Sequence, residues 1–149
     1  MCLIDKDCIL FDIDEENKDQ VIHTLISILD KKGSITSEEK FYQDVLAREK
    51  ICPTLIGFEI GLPHGRTENV LKPSLCFGRL MHPVVWDEQT NEKVRFVILI
   101  AVPKKGTTDA YMKMISALAR QLMHEDYRTI LTHGSQEEVF ELLNETIQI

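Results

Sequence analysis

The residues with the clearest chemical potential lie in GFEIGLPHGRTENVLKP, residues 57–73, where His64 follows Pro63 and precedes Gly65 and Arg66. Proline fixes φ on one side of the histidine, and glycine removes side-chain bulk on the other. The spacing predicts an imidazole on a defined, sterically open loop at the end of a strand-like segment, within reach of a partner's surface. Imidazole suits phosphoryl relay because its ordinary pKa of ~6.5 leaves a neutral, nucleophilic ring nitrogen available near pH 7. On spacing alone, a surface histidine in a turn accounts for the pattern at least as well. The surrounding charge favours an anion only weakly. Between residues 48 and 79 five basic side chains (Arg48, Lys50, Arg66, Lys72, Arg79) face three acidic ones (Glu49, Glu59, Glu68), in a chain of net charge −7. An arginine fork matches phosphate oxygens, so one or two of these groups could hold a phosphohistidine.

Other chemistries find little support. There is no G-x-S-x-G elbow, no G-x-x-x-x-G-K-[ST] loop and no H-E-x-x-H pair. His23, His82, His124 and His133 show no metal-ligand spacing, and His82, between Met81 and Pro83, reads as a loop residue. A Cys76–His64 pair is conceivable, but Cys76 sits inside an apolar strand pattern.

With 149 residues, 44% hydrophobic and 28% charged, the chain is expected to form one globular domain over residues 1–149. Its longest apolar run, residues 96–102, is far short of the ~20 residues of a membrane span and reads as a buried strand. The start, MCLIDKDCILFDIDEEN, lacks the basic opening of a signal or transit peptide, which makes the cytoplasm the expected compartment. Cys2, Cys8, Cys52 and Cys76 lack C-x-x-C spacing and are expected as reduced thiols. Lysine and arginine are too dispersed for the basic stripe of a nucleic-acid binder.

The elements that must position His64 follow from periodicity. Residues 8–13 read as a strand. Val21, Ile22, Leu25, Ile28 and Leu29 share a helical face, with Asn17 and Gln20 to open the helix and Gly33 to end it. A second helix is expected from Thr36, boxed by Glu39, with Phe41, Val45 and Leu46 inward and an end before Pro53. Residues 54–60, 74–80 and 94–102 read as strands, separated by loops holding Pro63, Gly65, Pro73 and Pro83. A helix follows Gly106, with Met112, Ile115, Leu118, Ala119, Leu122 and Met123 on one face, and a last one starts near Ser135 with Glu138 as its box partner. This order predicts an α/β fold, a mixed central sheet flanked by helices in a three-layer sandwich. The middle strands lack helices long enough for parallel crossovers, hence the mixed sheet.

The segments LAREKICPTLIG (46–57), PHGRT (63–67), LKPSLCFGRLMHPVVWD (71–87), LIAVP (99–103) and YMKMISALARQL (111–122) resemble, in order and nearly end to end, the fructose/mannitol class of IIA domains of the phosphoenolpyruvate-dependent sugar phosphotransferase system. The resemblance implies a mixed sheet flanked by helices. It also implies that His64 takes a phosphoryl group from the phosphocarrier HPr and passes it to a IIB domain, usually to a cysteine there. Arg48 falls on the family's arginine before the active loop, and Thr54 on the threonine that organises that loop or the histidine.

One departure stands out. The family often opens the helix after the AVP strand with a second histidine, in H-L-x-x-L-x-x-L-A; here the pattern reads YMKMISALA and the position is Tyr111. A phenol donates a hydrogen bond but does not become a cation near neutral pH. Either the second histidine is dispensable, or the site serves another sugar system or a regulatory role, or Tyr111 packs the helix start. The resemblance implies a cytoplasmic phosphocarrier needing no metal or cofactor, linked only indirectly to a membrane IIC component. The chief alternative is a regulator of the nitrogen-phosphotransferase type, and a more distant one is a small enzyme with its own deep pocket.

Overall fold

The computed structural model describes residues 4–105 and 108–147. After a 3-10 turn, Lys6–Cys8, the chain runs through β1 (Ile9–Ile13), α1 (Lys18–Lys31), α2 (Glu38–Ile51), β2 (Ile60–Gly61), β3 (His64–Thr67), β4 (Ser74–Asp87), β5 (Glu92–Pro103), α3 (Thr108–Gln121), α4 (Glu125–His133) and α5 (Gln136–Thr146). The apolar run of β5 lies at the centre and is buried from Phe96 to Val102. Burial on both faces is what a continuous, non-alternating apolar strand requires.

The sheet is mixed, as expected. β4 and β5 form an antiparallel hairpin, β1 pairs with β4 in parallel, and β2 and β3 pair in parallel with the other edge of β5. Neighbouring residues of β4 show that both faces are covered. A Cβ on Gly78 would meet Leu25 of α1, whereas the next side chain, Arg79, donates to the carbonyls of Leu131 and Gly134 at the end of α4. Side chains alternate faces along a strand, so helices lie on both sides of the sheet and the fold is the expected α/β sandwich.

Several boundaries differ from expectation. α2 is capped by Ser37, whose hydroxyl accepts from Lys40 N, because Thr36 is engaged elsewhere: its N–H and hydroxyl bond to Asn69 O at 2.8 Å and Oδ1 at 3.1 Å. Of the expected strand 54–60 only Ile60 belongs to one, β2, and residues 54–59 do not. They form the first arm and tip of a tight excursion, turned by Gly57, Phe58 and Glu59 at φ 86°, 54° and 64°. Its tip is held by an Arg95–Glu59 ion pair of 2.8 Å and by Arg128 stacked 3.7 Å from the Phe58 ring centroid. His82 and Pro83 lie inside β4, not in a loop, at a register shift between Arg79 and Val84. α4 was not anticipated. Cys8, Cys52 and Cys76 are free thiols, while Cys2 and Gly106 lie outside the described residues. Among the described residues no helix is long and apolar enough to cross a membrane.

Candidate functional site

β2 and β3 lie end to end along one edge of β5, in register Ile60↔Phe96 and His64↔Ile100. Leu62 and Pro63 bridge the break between them, with Ile100 N donating to Pro63 O at 3.0 Å. His64 therefore opens an edge strand rather than standing on a free loop. Gly65 is not a space-maker beside an open loop either. It is buried against α2, and a Cβ there would lie 2.9 Å from Phe41 Cε1 and 3.4 Å from Val45 Cγ2. With Gly65 turned to α2, the alternation of the strand puts His64 and Arg66 together on the other face, half-buried and exposed respectively.

The ring of His64 has a defined orientation. Its Nδ1 lies 3.0 Å from the carbonyl oxygen of Leu62. A carbonyl can only accept, so in the neutral ring the proton belongs on Nδ1 and the lone pair on Nε2. Leu62 is held in turn by its own N–H, which donates to Thr54 O at 2.9 Å. Thr54 is buried, and its N–H and hydroxyl both donate to the carboxylate of Glu49, at 3.2 Å and 2.5 Å. Lys18 Nζ completes that carboxylate at 2.8 Å, donates to Trp86 O at 3.1 Å and lies 5.0 Å from the Trp86 ring centroid.

The other candidate residues are distributed around this chain of bonds. Arg48 Nη1 turns back on the end of its own helix and donates to Cys52 O at 3.1 Å. Arg66 Nη2 donates to Lys104 O at 3.0 Å. Tyr111 is buried in the first turn of α3, and no hydrogen bond joins it to His64. Of the five basic residues counted around the loop, Arg79 lies on the same face of the sheet as His64, but its register partner is Phe96, four residues along β5 from Ile100, and its guanidinium donates to the carbonyls of Leu131 and Gly134, so the local positive charge does not converge on one point. Cys76 is buried in β4, where a hydrogen bond with Cys8 and burial push its thiol well above the usual range, and its register partner Leu99 puts it on the face of the sheet opposite His64, which pairs with Ile100.

Glu49, Lys18 and Leu62 escape a reading of the sequence. Glu49 looks like a solvated helix charge, and its partner Lys18 is on another helix. The only signal is that Glu49 continues the i, i+4 series of Phe41 and Val45, the buried positions of α2.

Among the described residues no group of three or more His, Cys, Asp or Glu could hold a metal ion. A cleft lined in part by Lys18, Glu49, Pro53, Pro83, Trp86 and Lys93 opens beside the Glu49 carboxylate, but His64 does not line it. An imidazole with one free nitrogen at a sheet edge can attack an electrophile that arrives on another molecule.

The family is shown by comparison with known proteins. Residues 2–146 match the family model of the phosphoenolpyruvate-dependent sugar phosphotransferase system, EIIA 2, and the chain belongs to that family, in its fructose/mannitol class. It is thereby a phosphotransferase component, a phosphocarrier of that system. The fructose-like EIIA component of Escherichia coli (strain K12) is 31% identical over 147 residues, 99% of this chain and 99% of that protein. Multiphosphoryl transfer protein 2 of the same strain is 28% identical over 99% of this chain, which spans 17% of that protein's length. Among solved structures, nitrogen regulatory protein IIA-Ntr from Neisseria meningitidis aligns with a TM-score of 0.86 and 26% identity, over 95% of this chain and 96% of that one. The mannitol IIA enzyme of Escherichia coli, in complex with phosphorylated mannitol IIB, aligns with a TM-score of 0.79 and 28% identity, over 95% of this chain and 98% of its own.

Proposed function

We propose that His64 accepts a phosphoryl group from phospho-HPr and passes it to a IIB domain for sugar uptake and phosphorylation. The observation that carries this reading is the 3.0 Å contact between His64 Nδ1 and the Leu62 carbonyl oxygen, which assigns the proton of the neutral ring to Nδ1 and leaves Nε2 as the nucleophile. In the transfer, the Nε2 lone pair forms a bond to phosphorus while the bond from phosphorus to the donor atom breaks, the electron pair leaving with the donor. The ring then keeps its Nδ1 proton, and the Leu62 carbonyl stabilises the positive charge it gains. Transfer to IIB reverses the bond at Nε2. Arg48 and Arg66 are proposed to swing from carbonyl partners to the phosphoryl oxygens as the partner docks, with Thr54 supporting the loop and Tyr111 offering a hydroxyl. The reaction requires no cofactor or metal.

The role proposed here is that of a cytoplasmic domain, residues 1–149, that binds no nucleic acid and meets the membrane only through IIB and its IIC component. Incubation with phosphoenolpyruvate, enzyme I and HPr should label the wild type, and mass spectrometry under neutral or alkaline conditions should place the phosphate on His64. His64→Ala should lose the label; full labelling of that variant refutes the assignment. A second reading, a phosphorylation-dependent regulator, is favoured by the higher TM-score to a nitrogen regulatory IIA, 0.86 against 0.79 for the mannitol enzyme. Passage of the label to a candidate IIB supports the transport role; a labelled protein that serves no IIB supports the regulatory one.

A further inference from the structure

The Glu49 carboxylate is a costly feature for a helix end. It is 5% exposed, and burial of a charge is unfavourable unless partners replace the lost water. It also lies in the last turn of α2, where the helix dipole disfavours a negative group. Neither helix propensity nor capping accounts for a carboxylate there. What it does hold is specific: two donors of Thr54 and the ammonium of Lys18, so that both of its oxygens are occupied. Thr54 is therefore fixed at its N–H and its hydroxyl, and its carbonyl receives Leu62 N–H. The carbonyl of the same Leu62 receives Nδ1 of His64.

We infer that Glu49, with Lys18 as its counter-ion, is a positioning residue that acts through Thr54 and Leu62 to set the tautomer and direction of the His64 ring. The inference rests on His64 being the phosphoryl acceptor. Glu49 touches no reacting atom. Its effect is to stop the Thr54–Leu62 backbone from rotating the one carbonyl that distinguishes the two ring nitrogens. Without that carbonyl in place the proton can occupy Nε2, which blocks the nucleophile, and the ring can turn away from an arriving donor.

The test uses the full chain, labelled with 15N-histidine, in wild type, Glu49→Gln, Thr54→Val and Thr54→Ser. Two-bond correlation spectra of the unphosphorylated protein above pH 8 report which ring nitrogen carries the proton, and single-turnover transfer from phospho-HPr reports rate. In wild type the His64 proton should reside on Nδ1. Glu49→Gln and Thr54→Val should shift it towards a mixture and lower the maximal transfer rate at least about tenfold, a loss in keeping with a misplaced reacting group. The phospho-HPr concentration giving half-maximal rate should stay within about twofold, because no docking contact is removed. Thr54→Ser, which keeps the hydroxyl, should recover most of what Thr54→Val loses. A role in stability alone would lower the melting temperature and leave the tautomer and maximal rate as in wild type; that result in folded variants overturns the inference. If Glu49→Gln fails to fold, Thr54→Val decides, since it leaves the Glu49–Lys18 pair in place. A wild type that takes no phosphoryl group refutes the proposed function, and the nitrogen spectra still judge the positioning claim independently.

Discussion

Gly65→Ala perturbs the site without touching any polar group. The new Cβ would lie 2.9 Å from Phe41 Cε1, 3.4 Å from Phe41 Cζ and 3.4 Å from Val45 Cγ2. Carbon atoms pack best at ~3.5–4.0 Å, so the closest approach is more than ~0.5 Å too short. Phe41 and Val45 are fully buried, and neither can swing into solvent. Either the ring or β3 must move. Overpacking of this kind costs about 1–3 kcal/mol, offset by the ~0.4–1 kcal/mol that alanine gains through a less disordered unfolded chain. The middle of these ranges leaves a net loss of about 1.3 kcal/mol, which lowers the melting temperature of a domain this size by roughly 3–5 °C. Gly65 is bonded covalently to His64, so a displaced β3 carries the imidazole with it, and transfer from phospho-HPr should slow by about tenfold or more. Thermal unfolding by circular dichroism and single-turnover transfer measure the two effects. Phe41→Leu in the same chain should relieve both in part, because the contacts are direct and the substitutions couple. A Gly65→Ala protein that melts and transfers like wild type refutes the claim that α2 holds the His64 strand in place by contact.

Two further substitutions probe the proposed phosphoryl contacts. Arg48→Lys keeps the charge and loses the planar fork, and should slow transfer about tenfold, near ~1.4 kcal/mol of transition-state energy, with the fold intact by circular dichroism; unchanged rates in both directions would confine Arg48 to its bond with the Cys52 carbonyl. Tyr111→Phe keeps the buried ring and should melt like wild type while transferring modestly more slowly, by no more than the ~1.5–3 kcal/mol of one bond to a charged acceptor, and Tyr111→His should restore or raise the rate; a wild-type rate in Tyr111→Phe leaves the residue as packing alone.

Features whose cause is local could be read from the sequence. Asn17 accepts from Gln20 N as its spacing suggests, Ser135 and Glu138 form the full capping box of α5, and Gly33 takes its left-handed turn at φ 73°. Other features have distant causes and could not be read in this way. Thr36 reads as the start of the second helix, yet Ser37 caps it, because Thr36 is held by Asn69, more than thirty residues away. The residues 54–60 carry strand-like apolar character, yet Phe58 and Glu59 adopt positive φ in a turn whose side chains meet Arg128 and Arg95, both far along the chain. At the site, the P-H-G-R spacing drew attention to His64 but suggested an open loop; pairing with β5 and packing on α2 make it a strand. Glu49 continues the buried i, i+4 series of Phe41 and Val45, but nothing near it in the chain supplies the counter-ion that a buried carboxylate needs, because Lys18 comes from the start of α1.

The buried residues of α2 are Phe41, Val45 and Glu49, at i, i+4 and i+8, so they form one stripe on one helix. Phe41 and Val45 press on Gly65, immediately after His64, and Glu49 controls Leu62, two residues before it, through Thr54. A single helix face therefore grips the His64 strand on both sides of the histidine, by packing on one side and by hydrogen bonds on the other. This division has a physical logic. A carrier that must meet successive partners cannot surround its nucleophile with walls, so precision has to come from behind the strand. Packing fixes where the backbone lies but does not choose between two ring nitrogens. Hydrogen bonds make that choice, but only if their backbone acceptor cannot turn. α2 supplies both constraints while leaving the outer face of His64 open to the incoming protein.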